Sequence, residues 1–224
     1  ASDGASGDHF GNWAAINNAG AIVVASRYND ANGVDNTGAV YIYLPDGTGS
    51  YVETKLTASD GQPDDNLGMF VAANDSGTVV AGASGDDDNG SNSGSVYVFV
   101  PNETGGYTQT KLTASDGAAG DNFGFSIAVN ASGSVVVGSR YDDDGGTDSG
   151  SVYLYVPDGN GGYTETKLTA SDAAAGDQLG WTTAINDAGV VVAGSLKDDN
   201  AGGTDAGALY VFTPNGDGTY SQTK

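Results

Sequence analysis

The phrase Ala-Ser-Asp begins at Ala1, Ala58, Ala114 and Ala170, and each time it opens the same succession of parts. Asp-x-Phe/Leu-Gly comes first, then a short apolar run, Asn-x-x-Gly, a Val-rich run and an Asp/Gly-rich stretch. Val/Leu-Tyr-x-Tyr/Phe, a Pro turn and Glu/Gln-Thr-Lys complete the copy. An internal period of about 56 residues leaves few folds open, because each copy is one supersecondary unit that buries its apolar face only against its neighbours. Four copies divide a single repeat domain, 1–224, into units 1–57, 58–113, 114–169 and 170–224.

The third copy shows what a unit contains. Residues 125–129 read as a first strand, and Asn130-Ala-Ser-Gly133 as a tight hairpin whose Gly takes the left-handed conformation. Residues 135–139 form an almost continuous apolar run, as in a strand covered on both faces. Residues 151–156 are β-branched and aromatic, which suits a third strand. After Pro157 and its turn, residues 163–168 make a polar fourth strand whose Lys blunts an exposed edge. Four antiparallel strands graded from apolar to polar describe a propeller blade. The expected fold is therefore all-β, a β-propeller of four four-stranded antiparallel blades. A stacked solenoid is the rival, although solenoid repeats are usually shorter.

The copies alternate. Phe10 and Phe123 become Leu67 and Leu179, and Arg27-Tyr28 and Arg140-Tyr141 become Ser84-Gly85 and Leu196-Lys197. Tyr43 and Tyr155 become Phe99 and Phe212, Asp46 and Asp158 become Asn102 and Asn215, and Glu53 and Glu165 become Gln109 and Gln222. The shared rhythm implies duplication of a two-blade unit. It points to a closed four-blade ring or to an eight-blade ring from two chains, with drift among similar copies as the plainer explanation.

Charge narrows the function. The net charge is −22, and of 29 acidic residues only Glu53, Glu103 and Glu165 are Glu. Asp suits tight turns and hard-cation loops, since its short side chain reaches local backbone and metal. So acidic a chain repels phosphate, which argues against nucleic acid as a partner. No apolar run is long enough to span a bilayer, so membrane insertion is not expected. The absence of Cys removes disulfide and thiol chemistry. No leader segment is visible and the chain opens on a copy boundary, as a trimmed product would. The composition suits a secreted or cell-surface setting.

Catalysis finds little material here. The lone His9 stands where other copies have Asn66, Asn122 and Gln178, so Ser-His-Asp and Cys-His arrangements lack their parts. Paired carboxylates are so abundant that they carry no information about glycoside hydrolysis. The Gly-rich loops lack a Gly-Lys-Ser/Thr motif and their Asp neighbours repel anions. The chain is expected to be no enzyme.

Phe/Leu-Gly, Gly-Ala-Ser (82–84) or Gly-Ser (138–139, 194–195), Ser-Val-Tyr-x-Tyr and Lys-Leu-Thr-Ala-Ser-Asp together resemble FG-GAP repeats over the whole chain. The likeness is to the variant found in bacterial surface and secreted proteins. It implies a propeller distantly related to the integrin α head, extracellular, often calcium-binding and active through contact with partners. One departure matters. The integrin-type calcium loop lies between the first and second strands, where this chain has only Asn17, Asn74, Asn130 and Asn186 turns, too short to wrap a metal.

The acids gather instead between the second and third strands: Asp30, Asn32 and Asp35; Asp86, Asp87, Asp88 and Asn92; Asp142, Asp143, Asp144 and Asp148; Asp198, Asp199 and Asp205. Calcium takes six to eight oxygens and relieves repulsion among adjacent carboxylates, so Ca²⁺ is the expected ion at roughly 10⁻⁴ to 10⁻³ M. Magnesium demands stricter geometry, and no His/Cys cluster supports zinc. The same composition also suits a solvated turn. Asp3, Asp60, Asp116 and Asp172, with Asp8, Asp65, Asp121 and Asp177, precede the first strands, and Lys55, Lys111, Lys167 and Lys224 follow the last. Each Lys is expected to pair with one of these acids across a strand or blade junction.

Binding is expected where the copies differ. Trp13, Phe70, Phe125 and Trp181 fall at the start of the innermost strand, where they stack on a ligand or pack between blades. Arg27 and Tyr28, with Arg140 and Tyr141, stand as basic-aromatic points in an acidic field. The expected function is adhesion or contact with a protein or glycan, stabilised by calcium. A structural subunit that self-associates into a filament or surface layer, and a lectin, are the alternatives.

Overall fold

The computed structural model describes residues 1–224 and contains four separate four-stranded antiparallel sheets. The first holds β1 (Ala14–Ile16), β2 (Ile22–Ser26), β3 (Ala39–Pro45) and β4 (Tyr51–Leu56). The second holds β5 (Val71–Ala73), β6 (Val79–Ala83), β7 (Ser95–Pro101) and β8 (Tyr107–Leu112). The third holds β9 (Ser126–Val129), β10 (Val135–Ser139), β11 (Ser151–Pro157) and β12 (Tyr163–Leu168). The fourth holds β13 (Leu179–Ile185), β14 (Val191–Ser195), β15 (Ala208–Pro214) and β16 (Tyr220–Thr223). Strands run in sequence order from inside to outside, the meander of a propeller blade. The only helical segment is a 3-10 turn at Ala31–Gly33.

The hairpins follow from their sequence. Asn130 Oδ1 accepts the Ser134 N–H at 2.9 Å, and Gly133 between them sits at φ 83°. Strands β6 and β10 are buried along their whole length, as their apolar runs require. The core lies between blades. One cluster joins blades one and two through Val40, Leu67 and Tyr97. A second joins blades two and three through Val96, Phe123 and Tyr153, and a third joins blades three and four through Val152, Leu179 and Tyr210.

Each junction is sewn by a parallel bridge: Gly38 to Leu67, Gly94 to Phe123 and Gly150 to Leu179. Gly is required there for two reasons. These residues have φ between 78° and 84°, and a Cβ would run into the backbone of the partnered Leu or Phe. At the opposite end, Asn17 Nδ2 donates to the Asn74 carbonyl, Asn74 to that of Asn130, and Asn130 to that of Asn186, at 2.9–3.2 Å. All four of these turns line one cavity of about 250 Å³, which places them around a common axis.

No bridge and no hydrogen bond joins the fourth sheet to the first. The closed four-blade ring is therefore not formed: the chain is an open arc of four propeller blades. Closure depends on the angle accumulated over successive junctions, which no single copy encodes.

Candidate functional site

Antiparallel order and the repeated bridge bring the four loops between the second and third strands of each blade out at the same end. Inside each blade this rim is organised by a buried Tyr. Tyr41, Tyr97, Tyr153 and Tyr210 are fully buried on the third strand. Their hydroxyls lie 2.6–2.8 Å from Asp3, Asp60, Asp116 and Asp172. The last strand brings Lys55, Lys111, Lys167 and Lys224 to the same four carboxylates at 2.6–2.9 Å. Each ammonium also lies 5.0–5.4 Å from the centroid of the Tyr ring.

The loop acids join this arrangement. Lys111 reaches Asp86 at 2.7 Å and Asp88 at 2.6 Å, Lys167 reaches Asp142 at 3.0 Å and also Asp144, and Lys224 reaches Asp198 at 2.8 Å. Where the loop carboxylates converge, an ammonium already stands. The neighbouring acid closes the loop. Asp30, Asp87, Asp143 and Asp199 accept backbone N–H groups of Asn36, Asn92, Asp148 and Asp205 at 2.6–2.9 Å. No group of three His or acidic side chains stands free to hold a metal ion. Blade one substitutes Asn29 for the inner Asp, and its Asn32, Asp35 and adjoining residues form the 3-10 turn and the loop that follows it.

Electrostatics follow this geometry. Hydrogen bonds from Lys55 and Tyr41 hold Asp3 below the usual carboxylate range, and those from Lys224 and Tyr210 do the same for Asp172. Asp60 is lowered as well, Lys111 and Tyr97 outweighing the effect of its burial. Asp65 moves the other way. Burial, reinforced by the charge of Asp86, pushes it up to about 6. Burial also raises Asp121 and Asp177.

At the axial edge of the rim the four candidate aromatics form one row. Trp13 and Phe70 have centroids 4.3 Å apart, Phe70 and Phe125 5.4 Å, and Phe125 and Trp181 5.1 Å. They bind blade to blade, yet Trp13 remains 45% exposed. The Arg140 guanidinium carbon lies 3.6 Å from the Phe125 centroid, 4.4 Å from that of Tyr141 and 4.9 Å from that of Trp181. Arg27 covers Tyr28 at 4.5 Å and points a guanidinium nitrogen at the Met69 sulfur, 3.0 Å away. Every ion pair in the chain belongs to Lys55, Lys111, Lys167 or Lys224, so neither Arg has a carboxylate partner. The Nε of each is buried without a hydrogen-bond partner, and burial lowers the Arg140 pKa. Arg27, Tyr28, Asp64, Met69 and Asn92 line a shared cavity of about 360 Å³ across the first three blades. The structure thus brings together the aromatic row and Arg140, and separately Arg27 and Asn92. The loop acids stay within their own blades.

Sequence reasoning does not single out the buried Tyr. Its signal is the recurrent Tyr of Val/Leu-Tyr-x-Tyr/Phe, which reads equally well as ordinary strand packing.

These blades, each joined to the next by Phe/Leu-Gly, define a propeller-type repeat protein. A family model described as FG-GAP repeat matches the chain four times, over residues 1–43, 52–99, 107–155 and 163–212, and the chain belongs to that family. No curated protein matches it. No helix is long and apolar enough to cross a membrane.

Proposed function

We propose that the chain is a non-catalytic, secreted or cell-surface module that holds a protein or glycan ligand at the axial edge of its acidic rim. The observation that carries this reading is Arg140, a guanidinium stacked among Phe125, Tyr141 and Trp181 with no counter-ion in a chain of net charge −22. Arg140 is half-buried with its Nε unpaired, and even partial burial of an unpaired cation carries a cost. A ligand carboxylate or sulfate relieves that cost, and the exposed face of Trp13 offers a platform for a sugar ring or an apolar side chain. Lone His9 and the absence of Cys support a binding role over catalysis.

Calcium enters this reading as a weak rim counter-ion. The inner acids already hold Lys, so the ion's share is the outward oxygens of Asp30, Asp87, Asp143 and Asp199. A structural subunit of an extracellular filament or layer is a second reading, favoured by the uncovered outer faces of blades one and four. Arrays of glycans and of extracellular proteins, probed with the chain and with its Arg140→Ala and Trp13→Ala variants, test the first reading. A ligand whose affinity falls tenfold or more in both variants supports it, in keeping with the weight of central Arg and Trp residues at interfaces. Ligands indifferent to both variants remove it.

A further inference from the structure

We infer that the two free ends of the arc are halves of one interface and that a second copy of this chain docks on them head to tail. This interface does not rest on the ligand reading: it is argued from the end faces, although Trp181 of the aromatic row also borders it.

Each internal junction uses three backbone hydrogen bonds. Asp64, Asn66 and Leu67 N–H donate to the carbonyls of Asp35, Asn36 and Thr37 at 2.9–3.1 Å. Gly120, Asn122 and Phe123 donate to Ser91, Asn92 and Ser93, and Gly176, Gln178 and Leu179 to Thr147, Asp148 and Ser149, at 2.8–3.1 Å. The corresponding donors in blade one are Gly7, His9 and Phe10, and the corresponding acceptors in blade four are Thr204, Asp205 and Ala206. None of these six groups makes a backbone hydrogen bond within the chain. The donor segment already holds the junction conformation, with His9 at φ 51° beside 55–60° for Asn66, Asn122 and Gln178.

The apolar surfaces match in the same way. Leu67, Phe123 and Leu179 are 0% exposed, whereas Phe10 is 41% exposed. Val40, Val96 and Val152 are 0% exposed against the following blade, whereas Leu209 in their place is 56% exposed. Leu209 and Gly207, with Trp181 and Leu196, line an open cavity of about 440 Å³ on the outer face of blade four. Gly207 keeps the bridge conformation at φ 76°, and its nearest neighbour across a Cβ is the Leu196 carbonyl at 3.1 Å, not an incoming backbone. At the far end Asn186 Nδ2, the next donor in the Asn series, makes no hydrogen bond. The Phe/Leu alternation also continues correctly, since a Phe-Gly blade follows a Leu-Gly blade. A complete, unfilled copy of the internal junction is thus split between the two ends. An interface of this kind is heterologous: it closes into a ring of two chains or runs on as a filament.

The test is sedimentation velocity on the 224-residue chain from about 1 µM to about 1 mM, a range that spans weak to moderate association. Dimers or longer assemblies that dissociate on dilution are expected. Leu209→Asp alters an exposed residue and is expected to weaken association at least tenfold with an unchanged circular dichroism spectrum. Hydrogen exchange at the Gly7, His9 and Phe10 amides is expected to slow at high concentration. A monomer throughout, or association indifferent to Leu209→Asp, overturns the inference.

Discussion

Tyr155 stands directly across the β11–β12 pair from Glu165, and its hydroxyl lies 2.8 Å from the carboxylate. Tyr43 and Glu53 repeat the pair in blade one at 2.7 Å. Blades two and four hold Phe99 opposite Gln109 and Phe212 opposite Gln222, and each amide turns to Ser59 or Ser171. Hydroxyl and carboxylate come and go together, so two of the alternating positions are physically one. That coupling is what a duplicated two-blade unit preserves and what independent drift erodes.

A double-mutant cycle measures the coupling. Tyr155→Phe and Glu165→Gln are each expected to destabilise by about 1 kcal/mol, the usual net value of one hydrogen bond. The double variant copies blade two and should cost clearly less than the sum of the singles. Urea unfolding gives all three values, and strict additivity would contradict the pairing.

Lys111→Met keeps the aliphatic stem over Tyr97 and removes the charge that Asp60, Asp86 and Asp88 share. An exposed pair is worth at most about 1 kcal/mol. Asp86 is almost fully buried, so the expected loss is larger, about 2 kcal/mol, because a charge is left without its partner. Blade one shows the neutral solution, Asn29 in place of the inner Asp, with Lys55 paired to Asp3 alone. Adding Asp86→Asn to Lys111→Met is therefore expected to recover part of the loss in chemical denaturation.

The strands of the blade, its hairpins and the Lys-to-Asp partnership were legible because they rest on local patterns repeated four times. The aromatic row was legible as the start of the innermost strand. Two features were not. Asp86, Asp87 and Asp88 read alike as candidate ion ligands, yet Lys111, 23 residues beyond Asp88, pairs with Asp86 and Asp88 while Asp87 closes the loop onto Asn92. Ring closure was equally hidden: the alternation left a closed four-blade ring and an eight-blade ring from two chains both open, since identical junctions close or stay open according to how many there are and the angle each adds.

Gly94→Ala tests the bridge. The new methyl group would meet the Phe123 backbone, and its φ of 84° is already unfavourable for Ala. Overpacking against rigid backbone typically costs about 1–3 kcal/mol, so a loss at the top of that range is expected. Gly105→Ala is the control. Its φ is 82° but nothing lies within 4 Å, so its cost should be the conformational part alone, about 1 kcal/mol. Equal thermal shifts in the two variants would show that the junction is not tightly packed.

Stability should vary with pH in a direction set by Asp65. Its folded pKa of about 6 lies above the ordinary value near 3.8, so the native state holds the proton more tightly than the unfolded chain does. Stability must then rise as pH falls from 7 toward 4. Asp60, Asp116 and Asp172 are lowered and act oppositely: their contribution is present above the ordinary carboxylate pKa and lost below it. The optimum is expected between pH 4 and 6, roughly where these windows meet. Asp65→Asn should flatten the rise by about 1 kcal/mol, a figure discounted for solvent screening. Melting curves from pH 3 to 8 check it, and an optimum above pH 7 would contradict the assignment.

Calcium is the remaining question, and the rim limits the answer. Asp30, Asp87, Asp143 and Asp199 each use one oxygen to close the loop, and the other makes no hydrogen bond or ion pair within the chain. With so few oxygens fixed in place, affinity should be no better than about 10⁻³ M, the weak end for extracellular modules. At about 10 mM calcium, mass action then gives about 1.4 kcal/mol for one occupied loop. For a domain of this size that corresponds to a rise of about 3–6 °C in Tm. The control is sodium chloride at equal ionic strength, because screening alone relieves part of the repulsion among the rim acids. A rise no greater than the sodium control would leave the four Lys as the rim's only specific cations.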